Sequence, residues 1–503
     1  MAPRDSRLKR LQQRTVPAWW SDAKFGVFVH WTMAAVPAFA PVGDGMGGLI
    51  GSHRSDAFAW SPYTEWYENS LRFPGSPVAR HHRATYGDEP YTAFRGPFED
   101  GIDRWDPDAW ATRFAAAGAR YVVLVAKHHD GYCLWPTGVA NPRRPGWHSR
   151  RDVVGELAEA VRGAGMRFGV YYSGGLDWTF DDRPIGTLAD MLAAVPRGDY
   201  PAYAEGQVRE LIDRYRPSVL WNDIAWPASG GRLWPLFEHY YATVPDGVVN
   251  DRWLPWNPLL AATRSSWVRR AVDAGVARLT APDGGIVPPR PPHFDVRTPE
   301  YVVFDDVQRT PWECVRGMDH SFGYNAASRP GDFVDRGDLL WLLTDIVAKG
   351  GNLLLNVGPR GVDGSLPSEQ VDRLGWLGAW AVPHRRALCA TRPWVVPGTS
   401  TVDGAPVRYT ARGDTVFALV RGGAGTAVLG EVRPTPTTEV TTVDGRPLGW
   451  SDTPAGLSVG LPDGPPPDEP AVVVLEGVES RPTGARATRA HGADRARPAG
   501  RRA

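Results

Sequence analysis

The chain has 503 residues, of which 42% are hydrophobic, and it carries 56 basic Lys and Arg residues against 56 acidic Asp and Glu residues. That length and apolar content are sufficient for a large core and a second domain. The balanced charge excludes the strong positive field of proteins that bind nucleic acid or anionic membranes, so we expect neither partner.

The three cysteines are too few, and odd in number, for a disulfide framework, and their spacing matches no zinc motif. The first 20 residues lack the apolar run of a signal peptide. No segment approaches the ~20 apolar residues that cross a bilayer. We therefore expect a cytoplasmic protein, and a homo-oligomer is compatible with the sequence.

Six short apolar runs are predicted to be β-strands. Because they are apolar almost throughout, they are typical of parallel strands that are covered on both faces. In chain order they span residues 25–31, 121–129, 168–173, 218–223, 247–252 and 352–358.

Helical patterns separate these runs. Asp106 can cap a helix that has Pro107 at its first position and ends at Gly118. Asp152 can cap a second amphipathic helix over residues 153–165, and a third apolar stripe runs from Leu339 to Val347. The alternation of strands and helices predicts an α/β barrel or a doubly wound sheet.

Composition divides the chain into three parts. Residues 1–385 carry the alternating pattern, and residues 386–478 are rich in Val, Thr and Gly with turn signals, which predicts an antiparallel β-domain. Residues 479–503 are basic and almost without apolar side chains, which predicts a disordered tail. The Gly-rich segment 43–51 matches no nucleotide-binding fingerprint, so we expect a flexible loop above the barrel.

Polar residues end five consecutive predicted strands. In an α/β barrel the carboxyl ends of all strands meet at one mouth, where active sites lie. The pattern therefore predicts a functional site at that mouth, built from His30, His128, His129, Asp130, Tyr172, Asp223 and Arg252.

Asp223 lies between two tryptophans directly after an apolar strand. A carboxylate is costly there unless it has a partner or a role, although a helix cap remains an alternative. His128, His129 and Asp130 could bind a metal. Because neighbouring strand residues point to opposite faces, we favour hydrogen bonds to substrate hydroxyls instead, and we expect no metal and no cofactor.

Several segments of the chain form a recognisable set: AKFGVFVHW (23–31), YTEWYENS (63–70), AKHHDGYCLW (126–135), YRPSVLWND (215–223) and VVNDRW (248–253). Together they resemble glycoside hydrolase family 29, the retaining α-L-fucosidases. The resemblance implies a (β/α)8-like barrel followed by a β-sandwich, and hydrolysis of terminal α-L-fucose from fucosylated oligosaccharides or glycosides. It also implies that Asp223 is the nucleophile and that the fucose pocket is lined by His30, Glu65, His128, His129, Tyr172, Trp221 and Arg252.

The second catalytic carboxylate has two candidates. Glu300 lies in HFDVRTPEY (293–301), which resembles the acid/base segment of some bacterial members of the family. Glu313, in the segment WEC, is the alternative, with a structural role as its competing interpretation. We favour Glu300, because a loop at the barrel mouth suits a residue that transfers protons.

Three other functions remain open from the sequence. One is a retaining glycosidase for a sugar that resembles fucose, such as an α-L-galactoside. Another is a lectin-like fucose-binding protein with a degenerate site. The third, a metal-dependent hydrolase that uses His128, His129 and Asp130, is the weakest.

Overall fold

The computed structural model describes residues 6–43, 45–52, 54–258, 262–276, 285–422, 425–462, 466, 468–481 and 496–498. Among these residues, the helices are all too short or too polar to cross a bilayer.

Seven parallel strands form a curled sheet in the spatial order β5-β4-β3-β2-β1-β8-β7. Their bounds are β1 Phe25–Val29, β2 Tyr121–Lys127, β3 Arg167–Tyr172, β4 Val219–Asn222, β5 Val248–Val249, β7 Glu313–Arg316 and β8 Asn352–Val357, with a short outer strand β6 at Val302–Phe304. The six predicted strands are confirmed, and β7 is an addition to them.

Residues 295–300 close the sheet between β5 and β7. Val296 pairs in parallel with Asn250 on one side, and Arg297 pairs in parallel with Trp312 on the other. The amide of Glu313 donates to the carbonyl of Arg297 at 2.8 Å. With this segment as the sixth of eight staves, the sheet forms the predicted (β/α)8-like barrel.

Alternate strand residues point into the barrel and out towards the helices. The interior holds large rings, among them Phe28, Tyr121, Tyr171 and Trp221, whereas their strand neighbours pack under the helices. Gly26 makes room for one of these rings, since a Cβ there would lie 2.4 Å from the ring of Tyr121. The interior is therefore a packed plug beneath the mouth.

The helices surround the barrel. Their bounds are α1 Ser6–Leu11, α2 Ala18–Ala23, α3 Met46–Gly51, α4 Tyr67–Leu71, α5 Pro77–Tyr86, α6 Arg95–Arg104, α7 Pro107–Ala116, α8 Val153–Gly163, α9 Leu188–Ala193, α10 Tyr200–Tyr215, α11 Gly230–Thr243, α12 Ser266–Val276, α13 Arg336–Ala348, α14 Ser368–Ala381 and α15 Arg385–Leu388. The predicted caps are confirmed: Asp106 accepts from the amide of Asp108 at 3.0 Å, and Asp152 from that of Gly155 at 2.9 Å.

The expectation of a flexible loop at 43–51 is wrong for its last six residues, Met46–Gly51, which form α3. Glycines weaken a helix by about 1 kcal/mol each. Met46 is buried in the apolar cluster that continues from the barrel interior, and Leu49 and Ile50 pack against that cluster. Tertiary packing therefore outweighs the low helix propensity of the segment.

Two antiparallel sheets follow the barrel, with apolar side chains buried between them. One has the order β13-β16-β11-β10-β9 and the other β12-β15-β14. The strands are β9 Arg392–Ser400, β10 Pro406–Arg412, β11 Thr415–Val420, β12 Thr426–Leu429, β13 Val432–Thr441, β14 Trp450–Thr453, β15 Gly456–Gly460 and β16 Ala471–Ser480. This arrangement is the predicted β-sandwich.

Most of the predicted disordered tail, residues 482–495 and 499–503, lies outside the described residues. In its described part, residues 479–480 end β16, and Ala496–Pro498 form β17, which pairs antiparallel with Val302–Phe304. The expectation of disorder does not hold for these residues, because main-chain hydrogen bonds can form a strand without apolar side chains.

Candidate active site

Asp223 lies at the mouth of the barrel, directly after β4. Its Oδ2 accepts a hydrogen bond from the Tyr171 hydroxyl at 2.8 Å, and its Oδ1 accepts one from Nη1 of Arg252 at 3.1 Å. Ile224 has a φ of +69°, which is unfavourable for a β-branched residue, and its amide donates to Asp223 Oδ1 at 2.8 Å. The turn and these three donors fix the direction of the carboxylate.

Arg252 joins two carboxylates. Its Nη1 lies 3.1 Å from Asp223 Oδ1 and 2.7 Å from Glu300 Oε1. Nη2 donates to the carbonyl of Thr298 at 3.0 Å, and the guanidinium lies over the ring of Trp221, 4.6 Å from its centroid. Burial alone would lower the pKa of Arg252, but the nearby carboxylates raise it, so this side chain is a permanent cation between them.

Glu300 ends the sixth stave and faces Asp223 across Arg252. Because both carboxylates contact the same nitrogen, their nearest oxygens lie no more than about 6 Å apart, compatible with the roughly 5–5.5 Å of retaining glycosidases. Burial and the negative charge of Asp223 raise the pKa of Glu300, against the opposing effect of Arg252. Tyr63 donates to Glu300 Oε2 at 3.4 Å.

A second cluster lies at the same mouth. One ligand-type atom from each of His30, Glu65 and His128 falls within 4.8 Å of the other two. Nδ1 of His30 is 2.5 Å from Oδ1 of Asn356, and Glu65 Oε2 accepts from the amide of Gly323 at 2.8 Å. Nδ1 of His128 is buried and lacks a hydrogen-bond partner among the described residues.

This second cluster is uncharged near neutral pH. Burial lowers the pKa of His30 to about 4 and holds that of His128 well below its usual range. Burial also raises the pKa of Glu65 to about 8. Neutral imidazoles and a carboxylic acid each combine donor and acceptor atoms, which suits them to the hydroxyl groups of a sugar.

His129 connects the two clusters. Its Nδ1 is 2.6 Å from the hydroxyl of Ser173, and its Nε2 is 3.9 Å from Asp223 Oδ2. The rings of Trp66 and Trp178 form T-shaped contacts with its ring at centroid distances of 5.1 and 5.5 Å. Its position is therefore fixed by a hydrogen bond and two indoles.

The structure corrects one predicted pocket residue. Tyr172 points out of the barrel, where its hydroxyl donates to Oε1 of Gln207 at 2.9 Å beneath the helices. Its neighbour Tyr171 points inward and binds Asp223. Strand alternation is the physical reason, since adjacent residues must face opposite sides.

Glu313, the alternative acid/base, lies at the amino-terminal start of β7, opposite Asn352 at the start of β8. It is fully buried and accepts from the Tyr121 hydroxyl at 2.8 Å and from Nε1 of Trp221 at 3.2 Å. Burial raises its pKa to about 8, so it is a neutral hydrogen-bonding group inside the plug. Trp221 therefore contacts both groups: its Nε1 donates to Glu313 in the barrel interior, and its ring packs against the guanidinium of Arg252 at the mouth.

His128, His129 and Asp130, the metal ligands considered from the sequence, do not converge on one point in the structure. Asp130 instead accepts from the Tyr91 hydroxyl at 2.9 Å, and His129 contacts Ser173. Within the described ranges, the grouping of three that could hold a metal is His30, Glu65 and His128.

A buried ion pair supports the site from outside. Lys127 Nζ lies 2.7 Å from Asp177 Oδ2, and both side chains are fully buried. Lys127 is the last residue of β2 and directly precedes His128 and His129. The amide of Trp178, next to Asp177, donates to the carbonyl of His129 at 2.7 Å. The pair therefore ties the end of β2 to the loop that follows β3.

We expect Lys127→Met to lower the free energy of unfolding by about 3–5 kcal/mol, because it leaves the Asp177 carboxylate buried and unpaired. Urea denaturation measures the loss. The double variant with Asp177→Asn removes the stranded charge and should recover part of it. A single variant as stable as the parent would contradict the assignment.

Comparisons with known proteins show the family of the chain. A sequence model of the family described as Alpha-L-fucosidase matches residues 3–384. The tissue alpha-L-fucosidase of Bos taurus is 29% identical, with 91% of this chain and 86% of that protein covered. The alpha-L-fucosidase of Branchiostoma floridae is 30% identical, with 90% of each covered.

Solved structures extend the likeness to the fold. The alpha-fucosidase of Thermotoga maritima, in complex with a mechanism based inhibitor, has a TM-score of 0.76 and 35% identity, with 93% of this chain and 98% of that chain covered. An alpha-L-fucosynthase from the same organism, in complex with alpha-L-Fuc-(1-2)-beta-L-Fuc-N3, has a TM-score of 0.78 and 36% identity, with the same coverage. This chain belongs to the alpha-L-fucosidase family, glycoside hydrolase family 29.

Proposed function

We propose that this enzyme hydrolyses terminal α-L-fucosides with retention of anomeric configuration, with Asp223 as nucleophile and Glu300 as general acid/base. One observation carries the assignment of roles. Two carboxylates share a single nitrogen of Arg252 at the barrel mouth, beside a cluster of neutral hydrogen-bonding groups. That combination supplies both carboxyl groups of a retaining glycosidase and a cradle for hydroxyls.

In the first step, a carboxylate oxygen of Asp223 attacks the anomeric carbon while the bond to the leaving oxygen breaks. Glu300, whose raised pKa favours the protonated form, gives its proton to that oxygen. The products are a free alcohol and a sugar ester of Asp223, with Glu300 as a carboxylate. Arg252 contacts both carboxyl groups on which charge changes.

The second step reverses these roles. Formation of the ester removes the negative charge of Asp223, which is one cause of the raised pKa of Glu300. Arg252 then acts on a single carboxylate, so the pKa of Glu300 falls and it can accept a proton from water. The water oxygen bonds to the anomeric carbon, and Asp223 leaves as a carboxylate.

The experiment is a panel of nitrophenyl glycosides. We expect turnover of the α-L-fucoside, with α-L-fucose as the first product detected by proton NMR. Faster turnover of the α-L-galactoside would reassign the substrate. Binding of fucose without turnover of any member of the panel would favour the lectin-like alternative instead.

Metal removal is a second test. We expect dialysis against a chelator to leave kcat/KM for the aryl fucoside within about twofold of the untreated value, because both proposed steps need only carboxylates and Arg252. Loss of activity that zinc or manganese restores would place a metal in the mechanism, with His30, Glu65 and His128 as its first candidate ligands.

The adjacent tyrosines of β3 form a matched pair of variants. Tyr171→Phe removes a hydrogen bond to the charged Asp223, which is worth about 1.5–3 kcal/mol, so we expect kcat/KM to fall by roughly 10- to 100-fold. Tyr172→Phe removes a hydrogen bond to Gln207 outside the barrel and should leave kcat/KM unchanged. Equal effects of the two variants would contradict the assigned orientations.

We also propose that the enzyme works in the cytoplasm. The support is that Cys133, Cys314 and Cys389 are free thiols and that the first two are buried. Such thiols persist in a reducing compartment. Fractionation of the producing cells, with activity in the cytoplasmic fraction as the expected result, tests the location.

A further inference from the structure

A basic groove lies at the other end of the barrel. It has a volume of about 450 Å³ and joins the turn before β2, helix α15 and the end of β10. Because β2 begins at Tyr121, this is the amino-terminal end of the barrel, opposite the mouth that holds the two carboxylates. Its lining residues are Arg120, Arg385, Arg386, Cys389, Ala390 and Arg412.

The positive charge of this groove is largely uncompensated. Arg386 pairs with Glu476 at 3.2 Å. Arg120, Arg385 and Arg412 have no carboxylate within ion-pair distance in the described part of the chain. Burial raises the pKa of the half-buried Cys389 thiol. All three arginines lie close enough to oppose this increase through their positive charge. Three arginines without a carboxylate partner among the described residues therefore line the same groove as Cys389.

The neighbouring residues do not neutralise the cluster. Asp22, the nearby acid, is already paired with Arg392 at 2.8 Å. Lys24 lies close by and is buried. Burial and Arg392 lower the pKa of Lys24 to about 8. This pKa is still above 7, so most Lys24 side chains carry a positive charge at neutral pH. The groove thus attracts anions from solution.

We propose that this groove binds a small, multiply charged phosphate compound. Guanidinium groups match the oxygen geometry of phosphate through paired hydrogen bonds. A ligand with one carboxylate would leave most of the positive charge unpaired. The volume falls within the ~300–1,000 Å³ typical of small-molecule pockets, so there is room for a diphosphate or for a phosphate carried on an organic group.

This ligand should not compete with the glycoside. None of the lining residues contacts Asp223, Glu300 or the histidine cluster, and the packed barrel interior separates the two ends. Its residues come from both the barrel and the β-sandwich, so a ligand there connects the two domains. The expected consequence is stabilisation of the fold by mass action.

The experiment is titration calorimetry of the full chain with inorganic pyrophosphate, ADP and orthophosphate, at constant ionic strength set with chloride. We expect saturable binding of pyrophosphate, and a melting temperature that rises with its concentration. ADP binding as tightly as pyrophosphate would indicate that the natural ligand carries its phosphates on an organic group. Weaker binding of ADP would indicate an inorganic ligand.

The double variant Arg120→Ala/Arg412→Ala should weaken pyrophosphate binding at least tenfold. The matched control is Arg83→Ala/Arg433→Ala, which removes one exposed arginine from each domain outside the groove and should bind like the parent. Unchanged turnover of the aryl fucoside shows that each variant is folded. If the Arg120→Ala/Arg412→Ala variant does not fold, the single variant Arg412→Gln is tested in its place. Absence of saturable binding to the parent, or equal binding by both double variants, would overturn the proposal.

Discussion

Asp223→Gly is expected to reduce kcat for an aryl fucoside by on the order of 10⁴-fold or more while leaving the fold intact. The carboxylate proposed to form the sugar ester lies at the mouth, where its partners are Tyr171 and Arg252, outside the packed interior. Its removal therefore deletes a reacting group without opening a cavity in the core. Circular dichroism and the melting temperature check the fold, and steady-state rates check the loss.

Azide distinguishes this role from that of the acid/base. In Asp223→Gly, azide can enter the space of the lost carboxylate and attack the substrate once, so the glycosyl azide should have inverted configuration. In Glu300→Ala, the ester of Asp223 still forms with a good leaving group, and azide attacks from the opposite face. That product should have retained configuration. Inverted product from Glu300→Ala, or parental activity in Asp223→Gly, would sink the assignment.

The sequence predicted much of this site because apolar runs mark the barrel staves. The runs that lead to His30 and Asp223 are apolar segments buried on both faces, and the run that leads to Arg252 contributes the shorter buried strand Val248–Val249. Once these segments are staves of one barrel, their carboxyl ends must share a mouth. The shared location of these three residues therefore follows from strand order, without knowledge of any loop.

The sixth stave could not be recognised in the same way. Residues 295–300 contain Asp295, Arg297 and Pro299, and they join the sheet through isolated bridges. Such a segment has no apolar periodicity, because the two neighbouring strands create its strand geometry. The sequence analysis consequently places Glu300 on a loop at the barrel mouth, whereas it lies at the end of a stave.

Gly169, two residues before Tyr171 in the same strand, indicates which way Tyr171 points. Gly169 faces the barrel interior, where a Cβ would lie 2.6 Å from Cβ of Val219. Residues two apart on a strand share a face, so Tyr171 must point inward with Gly169. A glycine within an apolar strand marks a crowded interior position.

The cradle residue Glu65 could be assigned only from the family resemblance. It lies in a short 3₁₀ helix at Thr64–Trp66, far in sequence from the strands, and its position depends on a hydrogen bond from Gly323. Contacts over such separations leave no local pattern. Asn356, which fixes His30, follows three leucines in its strand and had no visible role until the structure paired the two.

The final prediction concerns the proton donor. Glu300→Gln keeps the shape and the contact with Tyr63 but cannot transfer a proton. For a fucoside with a poor leaving group, we expect kcat/KM to fall by roughly 10²–10⁴-fold, because bond cleavage there requires protonation. A dinitrophenyl fucoside needs no such help in the first step, so its kcat/KM should change little. A much larger loss of kcat/KM for the poor leaving group than for the dinitrophenyl fucoside identifies Glu300 as the acid.

The pH dependence supplies an independent measurement. The parent should lose kcat/KM as the pH rises through the raised pKa of Glu300, since only the protonated acid starts the reaction. Glu300→Gln should lack this basic limb. Glu313→Gln is the matched control: burial raises the pKa of Glu313 to about 8, and its carboxyl group accepts hydrogen bonds from Tyr121 and Trp221 inside the barrel. If the leaving-group effect and the loss of the basic limb appeared in Glu313→Gln and not in Glu300→Gln, the two roles would have to be exchanged.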